Sequence, residues 1–315
     1  MPLRFTLRQL EYLVAVGDCG SVAAAAQRVG VSSPSISVAI AQLEAELGLS
    51  LFVRRHAQGL SLTQAGRQVL DQARFILAEA GRMTDIASTI SGTVRGTLRL
   101  GCLLTFAQIV LPQLRRSFVN HHPQVDVRQM EGDQDELIEA LRRAEIDLAL
   151  TYDLALPSDC SFEPLVSLPA HVLLAPDHPL AGRATLAPED LADHPMVLLD
   201  LPHSADYFLS AFAARGLRPQ VAERTRDIAV MRGLVAAGFG YSIANIRPLS
   251  DSAADGQPLR FVPLSGALRP LRMGLLMVEG AGQVQTIRAF AAHCRAHVTD
   301  RLMPGLQTVP PSATS

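Results

Sequence analysis

The chain has 315 residues, 48% hydrophobic and 18% charged, which describes two or three folded domains and excludes a disordered polypeptide. A formal net charge of -2 gives no overall pull toward nucleic acid, so any such contact must come from a local basic patch. All 28 basic residues are arginine, a bias of composition. Cys19, Cys102, Cys160 and Cys294 are scattered without CxxC spacing, which suits neither a disulfide framework nor a zinc site and fits a reducing cytoplasm. The N-terminus lacks the apolar core of a signal peptide, and no stretch has the length of a membrane span. The expectation is a cytoplasmic protein without a membrane partner.

Thr6 opens a first helix with Leu7, Leu10, Leu13 and Val14 on its apolar face, ending near Gly17. Between Gly20 and Gly48 lie two more helices. Ser21 caps one, four consecutive alanines favour it, and Gly30 stops it. Ser32 or Ser33 caps the other, Pro34 fits its first turn, and Ile36, Ile40, Leu43 and Leu47 make an inward stripe closed by Gly48. Small residues on the first helix allow the close crossing of a helix-turn-helix, although a plain helical hairpin has the same periodicity. Leu51 to Val53 and Leu60 to Leu62 then read as a small hairpin, or wing, with Gly59 as its turn. Arg54, Arg55 and His56 are expected at its tip, within reach of a phosphate backbone or simply solvated.

Thr63 caps a long helix in which Val69, Ala73, Ile76, Ala80, Met83, Ala87 and Ile90 follow heptad spacing, a seam suited to pairing with another helix. Ser91-Gly92-Thr93 breaks it. Beyond lies a βαβαβ run (TLRLG, a helix from about Pro112 to His121, VDVRQM, a helix over 134–143, IDLALTY), implying a mostly parallel sheet. Further strands are expected at HVLLA, PMVLLD, QVAER, FGYSIA, LRFVPL and RMGLLM, with helices over 207–215, 229–237 and 284–297. So many strands imply two α/β lobes with a ligand cleft at the carboxyl ends. The divisions are 1–62 (winged helix-turn-helix), 63–92 (linker helix), 93–303 (α/β domain) and 304–315 (a disordered tail). Lobe I takes about 96–165 and 269–303, and lobe II about 166–268.

Together these segments resemble a LysR-type transcriptional regulator. The resemblance rests on LRQLEYLVAV, SVAAAAQRVGVSSPSISVAIAQLEAELGLSLFVRR and LSLTQAG in the winged helix-turn-helix, then on LRLGCLLTFAQIVLPQL, FVNHHPQVDVRQMEGDQDELIEAL, IDLAL, APDHPLA and LVAAGFGYSI. It implies an α/β protein with an all-α winged N-terminal domain, a long linker helix and a two-lobed effector domain like a type 2 periplasmic binding protein. Its implied function is sequence-specific DNA binding controlled by a small molecule between the lobes. The implied partners are double-stranded promoter DNA, the effector, a homodimer through residues 63–90, a homotetramer and RNA polymerase. The sequence departs from the family at Val38 and Ala39, where a polar or basic pair is usual, and at Leu104 and Asn245, where proline is frequent.

Arg28, Ser33, Pro34, Ser35, Ser37, Val38, Gln42, Arg54 and Arg55 are the candidate DNA contacts. The methyl-rich helix face suits thymine methyls and Gln42 suits adenine, while bidentate readout of guanine is not available from this helix. Candidate effector residues are Cys102, Thr105, Thr151, Asp153, Asp200, Ser204, Arg226, Phe239, Tyr241 and Asn245. Asp153 and Asp200, converging at strand ends, favour an amine-bearing effector, although either can instead cap a helix. Two other readings are a thiol-based redox regulator using Cys102 and a solute-binding α/β protein that does not bind DNA. No GxSxG, HExxH or Walker pattern occurs, the His121-His122 pair has no partner at ligand spacing, and no enzymatic activity, cofactor or metal is expected.

Overall fold

Thr6 fixes the start of the first helix by a reciprocal pair: its hydroxyl accepts from the Gln9 amide, and the Gln9 side chain accepts from the Thr6 N–H. Helix α1 runs Leu7–Cys19, past the expected stop at Gly17, and Gly20 takes the left-handed C-terminal position at φ 62°. Gly17 serves packing instead, since a Cβ there would stand 2.9 Å from Leu70. Helices α2 (Val22–Val29) and α3 (Ser33–Leu47) follow, closed by Gly30 and Gly48. The cap of α3 is Ser32, whose hydroxyl accepts from the Ser35 amide at 3.3 Å. Leu13, Val16, Ala25, Ile36 and Leu43 form the centre of this helical core.

In this computed structural model residues 4–55, 59–91, 94–266, 268–298 and 307–308 are described. Strands β1 (Phe52–Arg55) and β2 (Gly59–Leu62) make the wing, with Arg54 opposite Leu60 and Arg55 opposite Gly59. Gly59 is therefore a strand residue rather than the turn, and both arginines stand on β1 rather than at the tip. His56 and the tip lie outside the described residues, as do the arginine side chains. The Glu44 carboxylate of α3 accepts from the Leu51 and Phe52 amides at 2.6 and 3.3 Å, which ties the wing to that helix.

Helix α4 (Gln64–Ser91) starts under the Thr63 cap, whose hydroxyl accepts from Gly66 at 2.8 Å. The expected seam divides. Val69, Ala73 and Ile76 pack with Leu70 and Leu77 into the core of the winged unit, so its first turns are used internally. Phe75 and Met83 are exposed, Met83 to 73%. The side chains of Ala87 and Ile90 lie outside the described residues.

The chain divides into two units, Met1–Thr93 with Arg142–Glu145, and Val94–Leu141 with Ile146–Ser315. Lobe I of the second unit contains β3 (Gly96–Leu103), α5 (Leu104–Ala107), α6 (Leu111–His121), β4 (Val125–Gly132), α7 (Gln134–Arg142), β5 (Leu148–Tyr152) and β6 (Cys160–Leu168). Lobe II contains β7 (His171–Leu174), α8 (Pro188–Leu191), β8 (Pro195–Leu199), α9 (Ser204–Ala213), β9 (Gln220–Thr225), α10 (Ile228–Ala236), β10 (Ser242–Ala244) and β11 (Arg260–Pro263). The chain returns to lobe I through β12 (Leu271–Val278), α11 (Gln285–His297) and β13 (Gln307–Thr308).

Lobe I has the sheet order β13-β6-β12-β5-β3-β4, with β3 parallel to both β4 and β5, and β12 antiparallel to β5 and β6. In lobe II β7 lies between β10 and β11, β8 pairs in parallel with β9, and a Met196–Tyr241 bridge links the two small sheets. Strand β6 was not anticipated because Pro164 interrupts its pattern; the register shifts beside Gly274, where the strand accommodates it. Lobe I thus extends to Leu168 before crossing, three residues beyond the expected boundary. Gln307–Thr308, in the segment expected to be disordered, pairs with Ser167 and Val166 as an edge strand. Among the described residues no helix is long and apolar enough to cross a membrane.

The approach of α4 to the wing leaves no room at Gly66, where a Cβ would stand 2.0 Å from the Leu51 carbonyl oxygen. Gly66→Ala is expected to lower stability by about 3 kcal/mol, because backbone must move to admit the methyl. Urea unfolding followed by circular dichroism measures it.

Candidate DNA-binding and effector sites

Helix α3 buries Ile36, Ala39, Ile40 and Leu43. That leaves Pro34, Ser35, Ser37, Val38, Ala41, Gln42 and Ala45 on the open face. Val38 is 57% exposed, the largest apolar group there, while Ala39 belongs to the core and is no part of the surface. Gln42 accepts from the Gln9 amide at 3.3 Å, and Ser35 shares a 2.8 Å hydrogen bond with the Ser32 hydroxyl. Ser33 is half-buried in the first turn. Arg28 is held by Asp18 at 2.9 Å, and Asp18 also receives Arg74 at 2.5 Å. Toward its C-terminal end this open face also carries exposed Glu46, and it contains no basic side chain. Positive charge can enter from Arg28 at its side and from the two wing arginines.

In the second unit the strand ends of both lobes meet. Asp133 follows β4 and caps α7, accepting from the Asp135 and Glu136 amides at 3.1 Å each, while its other oxygen receives Arg226 from lobe II at 2.7 Å. His203 of lobe II meets the Asp135 carboxylate at 2.8 Å while holding a left-handed backbone at φ 61°, a local strain tolerated at this junction. Around Asp200, Leu201, Pro202, His203, Ala205, Asp206 and Arg226 lies an open depression of about 390 Å³. Asp200 is paired with Arg224 at 3.2 Å, and Ser204 is buried at the start of α9.

The other strand ends differ from expectation. Asp153 is fully engaged: Arg269 and Arg272 reach one of its oxygens at 2.9 and 2.7 Å, and the Arg272 amide donates to the other at 2.8 Å. With its side chain 2% exposed, this carboxylate is a structural anchor and not a free counter-ion. Thr151 donates to the Gln134 side chain, whose nitrogen donates to Leu154 at 2.8 Å. Asn245 donates to the Leu168 carbonyl at 2.8 Å and to the Tyr207 hydroxyl at 3.1 Å, and Tyr207 in turn donates to the Arg269 carbonyl at 2.7 Å. Burial pushes the Tyr207 phenol up to about 12, partly offset by the Asn245 amide, so it stays a donor. Both crossovers between the lobes are thereby held by lobe II side chains.

Thr105 lies in lobe I's first helical turn, with its hydroxyl buried. It stands beside Tyr152, and both lie at carboxyl ends as expected. Phe239 and Tyr241 are placed elsewhere. Tyr241 exchanges backbone hydrogen bonds with Pro195 and Val197, at the amino end of β8, which puts both aromatics at the wrong end of the strand for the cleft. Cys102 is wholly buried, and burial together with Glu131 pushes its thiol far above the usual range. It is protonated at neutral pH, and the redox reading built on it loses its nucleophile.

Asp133, Gln134, His203, Tyr207, Arg269 and Arg272 were not singled out in the sequence. Asp133 follows β4 as Asp153 follows β5, so its position was readable. The roles of Arg269 and Arg272 depend on a contact across 116 and 119 residues, for which no local signal exists.

These two units have counterparts in known proteins. Residues 7–67 match the bacterial regulatory helix-turn-helix of the lysR family, and residues 91–299 match the LysR substrate binding domain. The chain belongs to the LysR family. The transcriptional activator protein LysR of Escherichia coli K12 is 28% identical over 310 residues, 98% of each chain. Among solved structures, HinK, a LysR family transcriptional regulator from Pseudomonas aeruginosa, is 34% identical, with 94% of this chain and 99% of that one covered at a TM-score of 0.63. Full-length CbnR in complex with its target DNA is 26% identical, with 93% and 99% covered at a TM-score of 0.64. This LysR-family protein is a DNA-binding transcriptional regulator with an effector-binding domain, a family of regulators rather than enzymes.

The burial of Cys102 and Cys294 sets their reactivity. A thiol reagent applied to the native regulator is expected to label half-buried Cys19 and Cys160 first, and to reach Cys102 and Cys294 only on unfolding. Mass spectrometry of timed labelling reads the order.

Proposed function

We propose that this regulator acts in the cytoplasm on promoter DNA and is controlled by a small molecule whose anionic group, a carboxylate in the simplest case, sits on Arg226 between the lobes. The observation that carries this reading is the Arg226 guanidinium, 66% exposed on the rim of the depression and engaged there by Asp133 Oδ2. Helices α7, α9 and α10 all begin at this end, so the positive ends of their dipoles point toward the same place. The amine-bearing effector weighed from the sequence needs two free aspartates. Asp153 is neutralised by two arginines and Asp200 is paired with Arg224, so charge favours an anion instead.

An anion competing for Arg226 would release Asp133 and loosen one ion pair between the lobes. Only a difference in affinity between the two lobe arrangements can shift the balance. On the DNA side, two copies pair through α4, where Phe75 and Met83 offer exposed apolar surface, and family resemblance extends the assembly to a tetramer. The dyad brings two copies of α3 to a pseudo-palindromic site. The wing arginines supply phosphate contacts, α3 packs methyl groups against base edges, and DNA shape supplies part of the selectivity.

Calorimetric titration of the full-length protein with small mono- and dicarboxylates, and with matched amines, tests the effector class. Carboxylate binding is expected to weaken tenfold or more in Arg226→Gln, about the worth of a charge-assisted hydrogen bond. Binding of amines without carboxylates overturns the reading. In a separate arm, Arg54→Ala with Arg55→Ala removes four arginines from a bound dimer and is expected to reduce the slope of log affinity against log salt by about 4. An unchanged slope removes the wing from the DNA interface.

A further inference from the structure

Four histidines gather away from the cleft, where the end of α6 packs against α11. His121 ends α6 and His122 follows it, while His293 and His297 stand one helical turn apart on α11. The rings of His293 and His297 stack with centroids 3.8 Å apart, and the His121 ring lies 5.6 and 5.8 Å from them. The adjacent histidines at 121 and 122, without a partner at ligand spacing in the sequence, therefore acquire one through the topology.

The hydrogen bonds around them fix which nitrogens carry protons. His121 Nδ1 is 2.8 Å from the Ser117 carbonyl, and His297 Nδ1 is 2.9 Å from the His293 carbonyl. A carbonyl can only accept, so both Nδ1 atoms carry a proton, and in the neutral ring this tautomer puts the lone pair on Nε2. His293, 7% exposed, is hydrogen-bonded to the backbone of Leu114, and its Nε2 is buried with no partner among the described residues. An orphaned buried nitrogen is costly unless something fills it. Neutral imidazoles that donate one N–H to a carbonyl and hold the other nitrogen free are in the state that binds metal.

We propose that His121, His293 and His297 form a site for a divalent transition ion with a preference for imidazole, such as zinc, nickel or copper. In the present rotamers no three such side chains meet at coordination distance among the described residues. A change of rotamer at half-buried His297 and at exposed His121 is what would bring their Nε2 atoms to the His293 Nε2. Histidines four apart on one helical face are the pair that helical zinc sites use. His122 is not part of the set, since its ring packs on Phe118 at 4.8 Å. The ion would tie the end of α6 to α11, within lobe I and apart from the cleft.

Full-length protein stripped with a chelator and titrated calorimetrically with zinc sulfate or nickel chloride tests this, with cobalt chloride as a spectroscopic probe. One equivalent per chain is expected, with cobalt absorption of imidazole coordination. His297→Gln and His121→Gln should each weaken binding at least about tenfold, with circular dichroism unchanged. His178→Gln, in the separate His178–His194 pair, should leave it as it was. Absence of binding overturns the proposal, and so does binding that His297→Gln and His121→Gln leave undiminished.

Discussion

A buried carboxylate surrounded by guanidinium groups decides how the effector domain is put together. Asp153 ends β5 with almost no solvent contact, and it is tolerable there only because Arg269 and Arg272 meet it. Those two arginines flank Pro270, on the segment that brings the chain back from lobe II. Their pairing therefore fixes where β12 enters the lobe I sheet. Tyr207 and Asn245 fasten the same region from the other lobe by taking hold of main-chain carbonyls at 269 and 168. The opposite rim is joined by His203–Asp135 and Arg226–Asp133, in which His203, Asp135 and Arg226 are open to water. The His203–Asp135 pair, open to water on both sides, contributes roughly 0–1 kcal/mol, whereas Asp133 is 7% exposed and the loss of its one arginine costs several. The two edges of the cleft thus differ in the number of their ties, with two arginines on Asp153 and one on Asp133.

Much of the architecture was readable because local rules and the global fold agree. Thr6, Ser21, Ser32 and Thr63 each cap the helix that follows them, and Gly20, Gly30 and Gly48 end helices in the left-handed conformation. Of the strands in the βαβαβ run, β5 is an apolar stretch buried on both faces, while β4 begins as an alternation of buried and exposed residues. The failures have physical causes too. Gly17 looked like a helix stop because its close contact with Leu70 lies 53 residues away. Pro164 hid β6 because a bulge opposite Gly274 accommodates it. The heptad spacing of α4 was real, but periodicity does not say whether a stripe meets another chain or the molecule's own core, and its first turns meet the core.

The candidate sites were legible in proportion to how local their geometry is. The open face of α3 follows from helical phase, and Pro34, Ser35, Ser37, Val38, Ala41, Gln42 and Ala45 are exposed there as expected, with Glu46 in addition. In the effector domain, Thr105, Asp200 and Ser204 follow the carboxyl ends of strands, where the sequence pattern put them. It misplaced Tyr241 and Phe239, because they precede β10 and flank the amino end of its neighbour β8. Asp153 was found but misassigned: its position was visible, and its partners, more than a hundred residues on, were not.

The methyl-rich face of α3 has a thermodynamic consequence. Counter-ion release weakens every contact between arginine and phosphate as salt rises, whatever the base sequence. On the proposed reading, contacts between Val38 or Ala41 and thymine methyls would release no counter-ions. Rising ionic strength should then loosen this regulator from all DNA alike while leaving the ratio between its operator and random sequence nearly constant. Burying apolar surface also gives a negative heat capacity of binding. Selectivity of this kind is carried by temperature more than by salt.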